Sequence, residues 1–205
     1  MGARMLPIGA VVRGLLAGAA GTAVMDGVWY ARYRRDGGTS SFPEWETAVG
    51  LNSWEDAPAP AQVGKRVVEG LLQRELKPEK ARLVTNLVHW GYGIAWGAAY
   101  GIVAASARRP RASYGLVFGP IVWSTAYLVL PATGIYKPMR DYDATTLWKD
   151  ASAHLAYGVG AATIFKIWPG GADPVHTAQR TGHETVYRGT RAVRARPRAG
   201  GDPPG

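Results

Sequence analysis

The stretch ASYGLVFGPIVWSTAYLVLPATGIY, from Ala112 to Tyr136, contains no Asp, Glu, Lys, Arg or His. A helix needs about 20 apolar residues to cross a hydrocarbon core about 30 Å thick, so this stretch is long enough to be a membrane span. Working outward, residues 83–107 form a second such stretch between Arg82 and Arg108, with Asn86 and His89 as its most polar members. Residues 6–30 form a third, broken by Arg13 near its start and Asp26 near its end. Residues 147–168 form a fourth, with Lys149 and Asp150 at one end and Lys166 at the other. Charges near span ends reach the interface by snorkelling, so the last two also read as spans. Trp29 and Tyr30 close the first, and Trp148 and Trp168 bracket the fourth. Amphipathic rings favour that headgroup level. The mean hydropathy of -0.10 conceals the pattern, because nearly all the charge lies outside the four stretches.

The expected fold is therefore all-α: a four-span transmembrane helical bundle over residues 1–169, followed by an Arg/Gly/Pro-rich tail over 170–205. The tail has too few apolar residues to offset the entropy of ordering and is expected to be disordered. A soluble core of long buried helices is the rival, but no stretch shows the broad polar face of a surface helix. A cleaved signal peptide would use Arg4 and the small residues near Ala19, yet the apolar run continues past that point to Trp29. Between the first two spans, residues 31–60 read as irregular loop, with Asp36-Gly37-Gly38 and Ser40-Ser41-Phe42-Pro43 as turn signals. Residues 61–76 then carry Val63, Val67, Val68, Leu71, Leu72 and Leu76 on one helical stripe. Such a helix lies in the membrane interface or packs on its own bundle, and the sequence leaves both open.

The chain also repeats itself. His89-Trp-Gly-Tyr92-Gly93 and His154-Leu-Ala-Tyr157-Gly158 share His-x-x-Tyr-Gly, and Gly14-Leu-Leu-Ala-Gly18 matches Gly115-Leu-Val-Phe-Gly119. The bundle then reads as two similar two-helix hairpins, both entering the membrane the same way, with the histidines facing each other across the axis. His89, Gly93, Gly97 and Gly101 recur every four residues, as do His154, Gly158 and Ala162. Small residues at that interval let helices approach closely, so Gly14, Gly18, Gly115 and Gly119 are expected to pack against those rows. Tyr92 and Tyr157 share the histidine-bearing sides.

An imidazole is costly to bury in an apolar span, and four readings compete. In the first, each ring hydrogen-bonds a neighbour such as Asn86, Tyr92 or Asp26, at about 0.6–2 kcal/mol. In the second, the pair lines a polar pathway for protons or small solutes, gated by imidazole protonation at about pH 6. In the third, His89 and His154 supply both axial ligands of a haem b. The fourth, a metal site, needs more ligands than these two. Asp26, in Met-Asp-Gly-Val-Trp-Tyr, is a further intramembrane candidate, read as interfacial because Tyr30 follows so closely. The cluster Lys137, Arg140, Asp141, Asp143, Lys149 and Asp150 reads as a solvated loop with local ion pairs.

No cysteine is present, which excludes disulfides, thiolate metal sites and covalent haem attachment. Phosphate-binding glycine loops, Gly-x-Ser-x-Gly and His-Glu-x-x-His are absent, so a non-enzymatic role without a resident cofactor or metal is expected. The formal net charge of +9 is mostly arginine in loops and tail. For a membrane protein it points to anionic headgroups rather than nucleic acid. Other expected partners are a second copy of the chain or another membrane protein.

Gly14–Asp26, the loop bearing Trp54-Glu-Asp-Ala-Pro and the His89-Trp-Gly-Tyr-Gly segment resemble the YagU-type bacterial inner-membrane proteins, over about residues 8–168. Those are small polytopic proteins of uncharacterised biochemical function. The resemblance implies a multi-pass inner-membrane location and carries no catalytic residues, and the arginine-rich tail departs from it. Both termini are expected on the cytoplasmic side, which places the Arg108–Arg111 turn there too.

Overall fold

A computed structural model describes residues 7–107 and 110–168, which are all-helical and contain no strand. The tail expected to be disordered, Leu6 at the head of the first span, and Arg108 and Arg109 lie outside the described residues. The helices are α1 (Pro7–Arg35), α2 (Phe42–Glu46), α3 (Ala59–Leu72), α4 (Ala81–Ala105), α5 (Gly115–Val129) and α6 (Ala144–Ile167). Two of them are long and apolar enough to cross a membrane: α1, and α5 taken with its flanking 3-10 turns as Ala112–Thr133. Helices α4 and α6 owe their lower hydropathy to Asn86, His89, Lys149, Asp150 and numerous Gly, Trp and Tyr residues.

The helix ends differ from the sequence expectation for local reasons. α1 runs on to Arg35 because the Arg32 guanidinium is held by α6, donating to the Lys149 carbonyl at 2.5 Å and to Ser152 Oγ at 2.7 Å. It stops where Gly37 takes a left-handed φ of 95°. The apolar stretch ends at Thr133, not Tyr136, because Gly134 adopts a left-handed cap whose N–H returns to the Pro131 carbonyl. α3 stops at Leu72 rather than residue 76. Gln73 is left-handed there, and Leu76 is taken up by other partners: its N–H by Glu69 and its carbonyl by the Trp54 indole N–H.

α6 begins early, at Ala144, because Asp143 is an N-cap: its carboxylate accepts the Thr146 N–H at 2.9 Å and the Thr146 hydroxyl at 2.7 Å. Those Thr146 bonds hold the Asp143 carboxyl below its ordinary value. A depressed folded-state pKa contributes stability above the unfolded pKa and loses it as pH falls through the folded one. Acidification through that range is therefore expected to lower the amide-exchange protection factors at Thr145–Leu147, measured against the intrinsic rate at each pH. Asp143→Ala should show the same low protection already at neutral pH, and unchanged protection in that variant would rule the cap out as its cause.

The long helices pack through their small residues. α1 lies antiparallel to both α4 and α6, and α5 lies antiparallel to α6. A methyl group on Gly14 would strike the Gly97 carbonyl oxygen, one on Gly18 would come within 2.5 Å of the Gly93 carbonyl, and one on Gly101 would strike the Ala10 carbonyl. On its other side α1 sets Gly21 against Tyr157 and Ala161. In the second hairpin Gly115 faces Gly158 and Val159, while Gly119 faces His154 and Leu155. The two seams differ in register. Gly18 stands opposite Gly93, four residues after His89, whereas Gly119 stands opposite His154 itself, a slip of one helical turn.

Where the glycines give way to larger residues, rings fill the interior. Tyr100 of α4 meets Phe118 of α5 at 4.7 Å between centroids and Phe165 of α6 at 5.5 Å, and Phe118 meets Tyr157 at 5.7 Å. Ala17, Met25, Ala104, Val122, Ala153, Ala161 and Ala162 belong to the same buried cluster. Large aliphatic residues point outward instead: Ile8, Val12 and Leu16 on α1, Leu83, Leu87, Ile102 and Val103 on α4, Leu116, Val117 and Leu128 on α5.

Candidate functional site

The polar side chains of the interior gather at the end of α1 where the segment after Arg35 departs. Asp26 lies on the same α1 face as Gly14, Gly18, Thr22 and Met25, so close packing carries its carboxylate inward to 3% exposure. Antiparallel pairing with α4 sets His89 opposite, and His89 Nε2 lies 2.9 Å from Asp26 Oδ1. The second carboxylate oxygen, Oδ2, is buried and has no hydrogen-bond partner among the described residues. A buried polar atom without a partner typically costs about 1–3 kcal/mol, so this one calls for an explanation.

A third group arrives from α2. Ser41 and Glu44 form a capping box, the Glu44 carboxylate accepting both the Ser41 N–H at 2.9 Å and its hydroxyl at 2.7 Å, with Pro43 in the first turn. That fixes a helix of five residues, whose last member is Glu46. Aromatic contacts dock it on α1: Tyr30 lies 5.1 Å from Phe42 and 5.4 Å from Trp45 between ring centroids. Glu46 Oε1 then accepts the Trp90 indole N–H at 2.8 Å. Burial, and next the nearby Asp26 carboxylate, push the Glu46 carboxyl above its ordinary value, against the opposing pull of the Trp90 bond and His89. One donor atom each from Asp26, Glu46 and His89 falls within 4.8 Å of the others.

The remaining candidates are placed differently. Asn86 donates to the Thr47 and Arg82 carbonyls, tying α4 to the segment after α2 rather than bonding His89. Tyr92 is 42% exposed and sets its ring edge-on to Trp96, whereas Tyr157 is 1% exposed and donates to the Gly93 carbonyl at 2.6 Å. The sequence equivalence of the two tyrosines is thus not matched in burial or bonding, a consequence of the slipped seam. His154 Nδ1 meets its own helix, 3.0 Å from the Asp150 carbonyl and 3.2 Å from the Asp150 carboxylate. His89 turns to α1 while His154 bonds within α6, so the two rings have different hydrogen-bond partners. Of the charged cluster from Lys137 to Asp150, Arg140 pairs with Asp141 at 3.6 Å before α6, and Lys149 within α6 reaches Asp36 at 3.9 Å.

Glu46 is the member that sequence reading missed. Its segment reads as irregular loop in the sequence, because a helix of five residues is too short for periodicity to register. The usable signal was Ser41-Phe-Pro-Glu44, a capping box with proline in the first turn. Compared with protein-family models, curated proteins and solved structures, the chain matches none.

Proposed function

We propose that this chain is an integral membrane protein of four crossings, α1, α4, Ala112–Thr133 and α6, acting as a non-enzymatic scaffold that holds an ionisable cluster at one membrane face. The observation that carries this reading is the packing pattern: glycine, alanine and aromatic rings inside, large aliphatic residues outside on α1, α4 and α5. In water such a surface would be an aggregation liability, whereas in lipid it costs nothing and close helix approach is the main source of packing energy. α3 supports the same reading. It packs on α4 through Ala61 and Gly64 yet turns Val67, Leu71 and Leu72 outward, with Lys77, Lys80 and Arg82 following. That combination suits an interface with anionic headgroups. The resemblance to YagU-type inner-membrane proteins, and the origin of the hairpins in one repeated unit, belong to this reading.

A solute pathway along the axis is less favoured, because glycine seams close the helix pairs and the cleft between α4 and α5 is apolar, lined by Trp96, Tyr100, Val103, Phe118 and Ile121.

The native sequence has no cysteine, so single cysteines report topology cleanly. With four crossings, Ser53→Cys and Asp141→Cys should react with a membrane-impermeant maleimide from one side and Ser106→Cys from the other. If only α1 and Ala112–Thr133 cross, Ser53→Cys and Ser106→Cys share a side and Asp141→Cys is opposite. That pattern, or extraction of the protein from membranes by alkaline carbonate, would overturn the reading.

A further inference from the structure

We propose that Asp26, Glu46 and His89 form a binding site for a first-row divalent transition cation of the zinc class. The proposal is independent of how many helices cross a bilayer. Three elements distant in sequence, α1, α2 and α4, bring one imidazole and two carboxylates together with donor atoms within 4.8 Å of one another. Ligand bonds of about 2.0–2.2 Å at tetrahedral angles set donor atoms about 3.3 Å apart. The Asp26–His89 distance of 2.9 Å is close to that separation, and Glu46, within 4.8 Å of both, is the ligand that would move inward to close the triangle.

Charge gives the second argument. Two carboxylates at this separation repel, and a protonated His89 would neutralise only one of them. A divalent cation with neutral imidazole and two carboxylates balances to zero, the arrangement that a partly desolvated site favours. The third argument is separate from the clustering. Asp26 is more than nine-tenths buried, and its Oδ2 has no donor among the described residues. A carboxylate that approaches a metal through both oxygens, or turns Oδ2 to a metal-bound water, would have the partner this one lacks.

The donor set narrows the ion. Imidazole with carboxylate suits Zn²⁺, Mn²⁺ or Fe²⁺, whereas Ca²⁺ and Mg²⁺ prefer oxygen alone and Cu⁺ prefers sulfur, which no cysteine supplies here. Three protein ligands leave a fourth position for water or a partner's donor. Trp90, bonded to Glu46 Oε1, orients that carboxylate from outside the ligand set. Entry is open on one side, since the His89 side chain is 27% exposed and Glu46 is half-buried. Binding would clip the segment after α1 onto the helices, because Glu46 is its only contribution to the triad.

The test uses the detergent-purified full chain, stripped with chelator and titrated with Zn²⁺ alone by calorimetry and thermal unfolding. One strong site per chain and a rise in Tm are expected. Glu46→Gln, placed on a surface helix where folding is secure, should weaken binding about 100-fold and abolish the Tm rise. Trp90→Phe should weaken it about 10-fold through the lost orienting bond. His154→Gln should leave affinity unchanged. Absence of a 1:1 site in the wild type, undiminished affinity in Glu46→Gln, or equal affinity for Mg²⁺ would each overturn the proposal.

Discussion

Gly97→Val is expected to unfold the α1–α4 pair in chelator-treated, detergent-solubilised protein. An added side chain at Gly97 meets backbone on the opposite helix, the Gly18 Cα and N and the Gly14 carbonyl oxygen, with no flexible group to move aside. Overpacking a core typically costs about 1–3 kcal/mol when side chains can readjust. Here the helices themselves must separate, which forfeits the van der Waals contact along the whole seam, so a loss above ~3 kcal/mol is expected. Eight tryptophans make intrinsic fluorescence a suitable probe of the thermal transition. Gly91→Ala is the matched control: it lies on the same helix, and an added methyl meets nothing within 4 Å. Relieving a helix-interior glycine there should be neutral or stabilise by up to about 1 kcal/mol. A wild-type Tm in Gly97→Val would show that the seam is not the principal contact of this fold.

The second large effect separates the two histidines. His89→Ala removes the hydrogen bond made by Asp26 Oδ1, so that among the described residues neither oxygen of this almost completely buried carboxylate keeps an imidazole donor. Breaking a buried pair from one side costs about 3–5 kcal/mol, and the metal-stripped protein should lose a stability of that order. His154→Ala removes an interaction made within a single helix, and about 1 kcal/mol or less is expected. Replacing both members of the first pair, Asp26→Leu with His89→Leu, should recover most of the loss, since an apolar pair of similar volume is often neutral or better. Equal destabilisation by His89→Ala and His154→Ala would contradict the pairing and favour two equivalent sites.

That asymmetry shows how far the sequence could be read. The charge-free stretch from Ala112 and the four-residue spacing of Gly93, Gly97 and Gly101 carry the helical class and the residues of the seam, because hydrophobic length and small-residue spacing are local properties. Asp26 was visible as a partner for His89 for a similar reason: both are polar groups in apolar surroundings. The slip between the seams was not visible. It depends on which glycine of one helix settles against which turn of the next, and Gly18 and Gly119 have matching neighbours in sequence yet settle one turn apart. Equivalence of Tyr92 and Tyr157, and of the two histidines, fails with that slip. Glu46 was hidden by scale, since the capping box that places it spans four residues and leaves no periodic trace.

The position of α1 has a further consequence for how the molecule is made. This helix leaves the ribosome before α4 and α6, yet one of its faces waits for α4 and the other for α6, the last of the described helices. Until α6 arrives, Gly21 lacks Tyr157 and Ala161, and the Arg32 guanidinium lacks the Lys149 and Ser152 oxygens it finally binds. An α1–α4 hairpin can close early over its glycines and bring Asp26 to His89. The remaining face of α1 then acts as a template on which the second hairpin docks. A chain released after Ala105 would thus be a half-built protein whose polar cluster is assembled but whose α1 still presents an unpaired face, a state exposed to quality-control proteolysis.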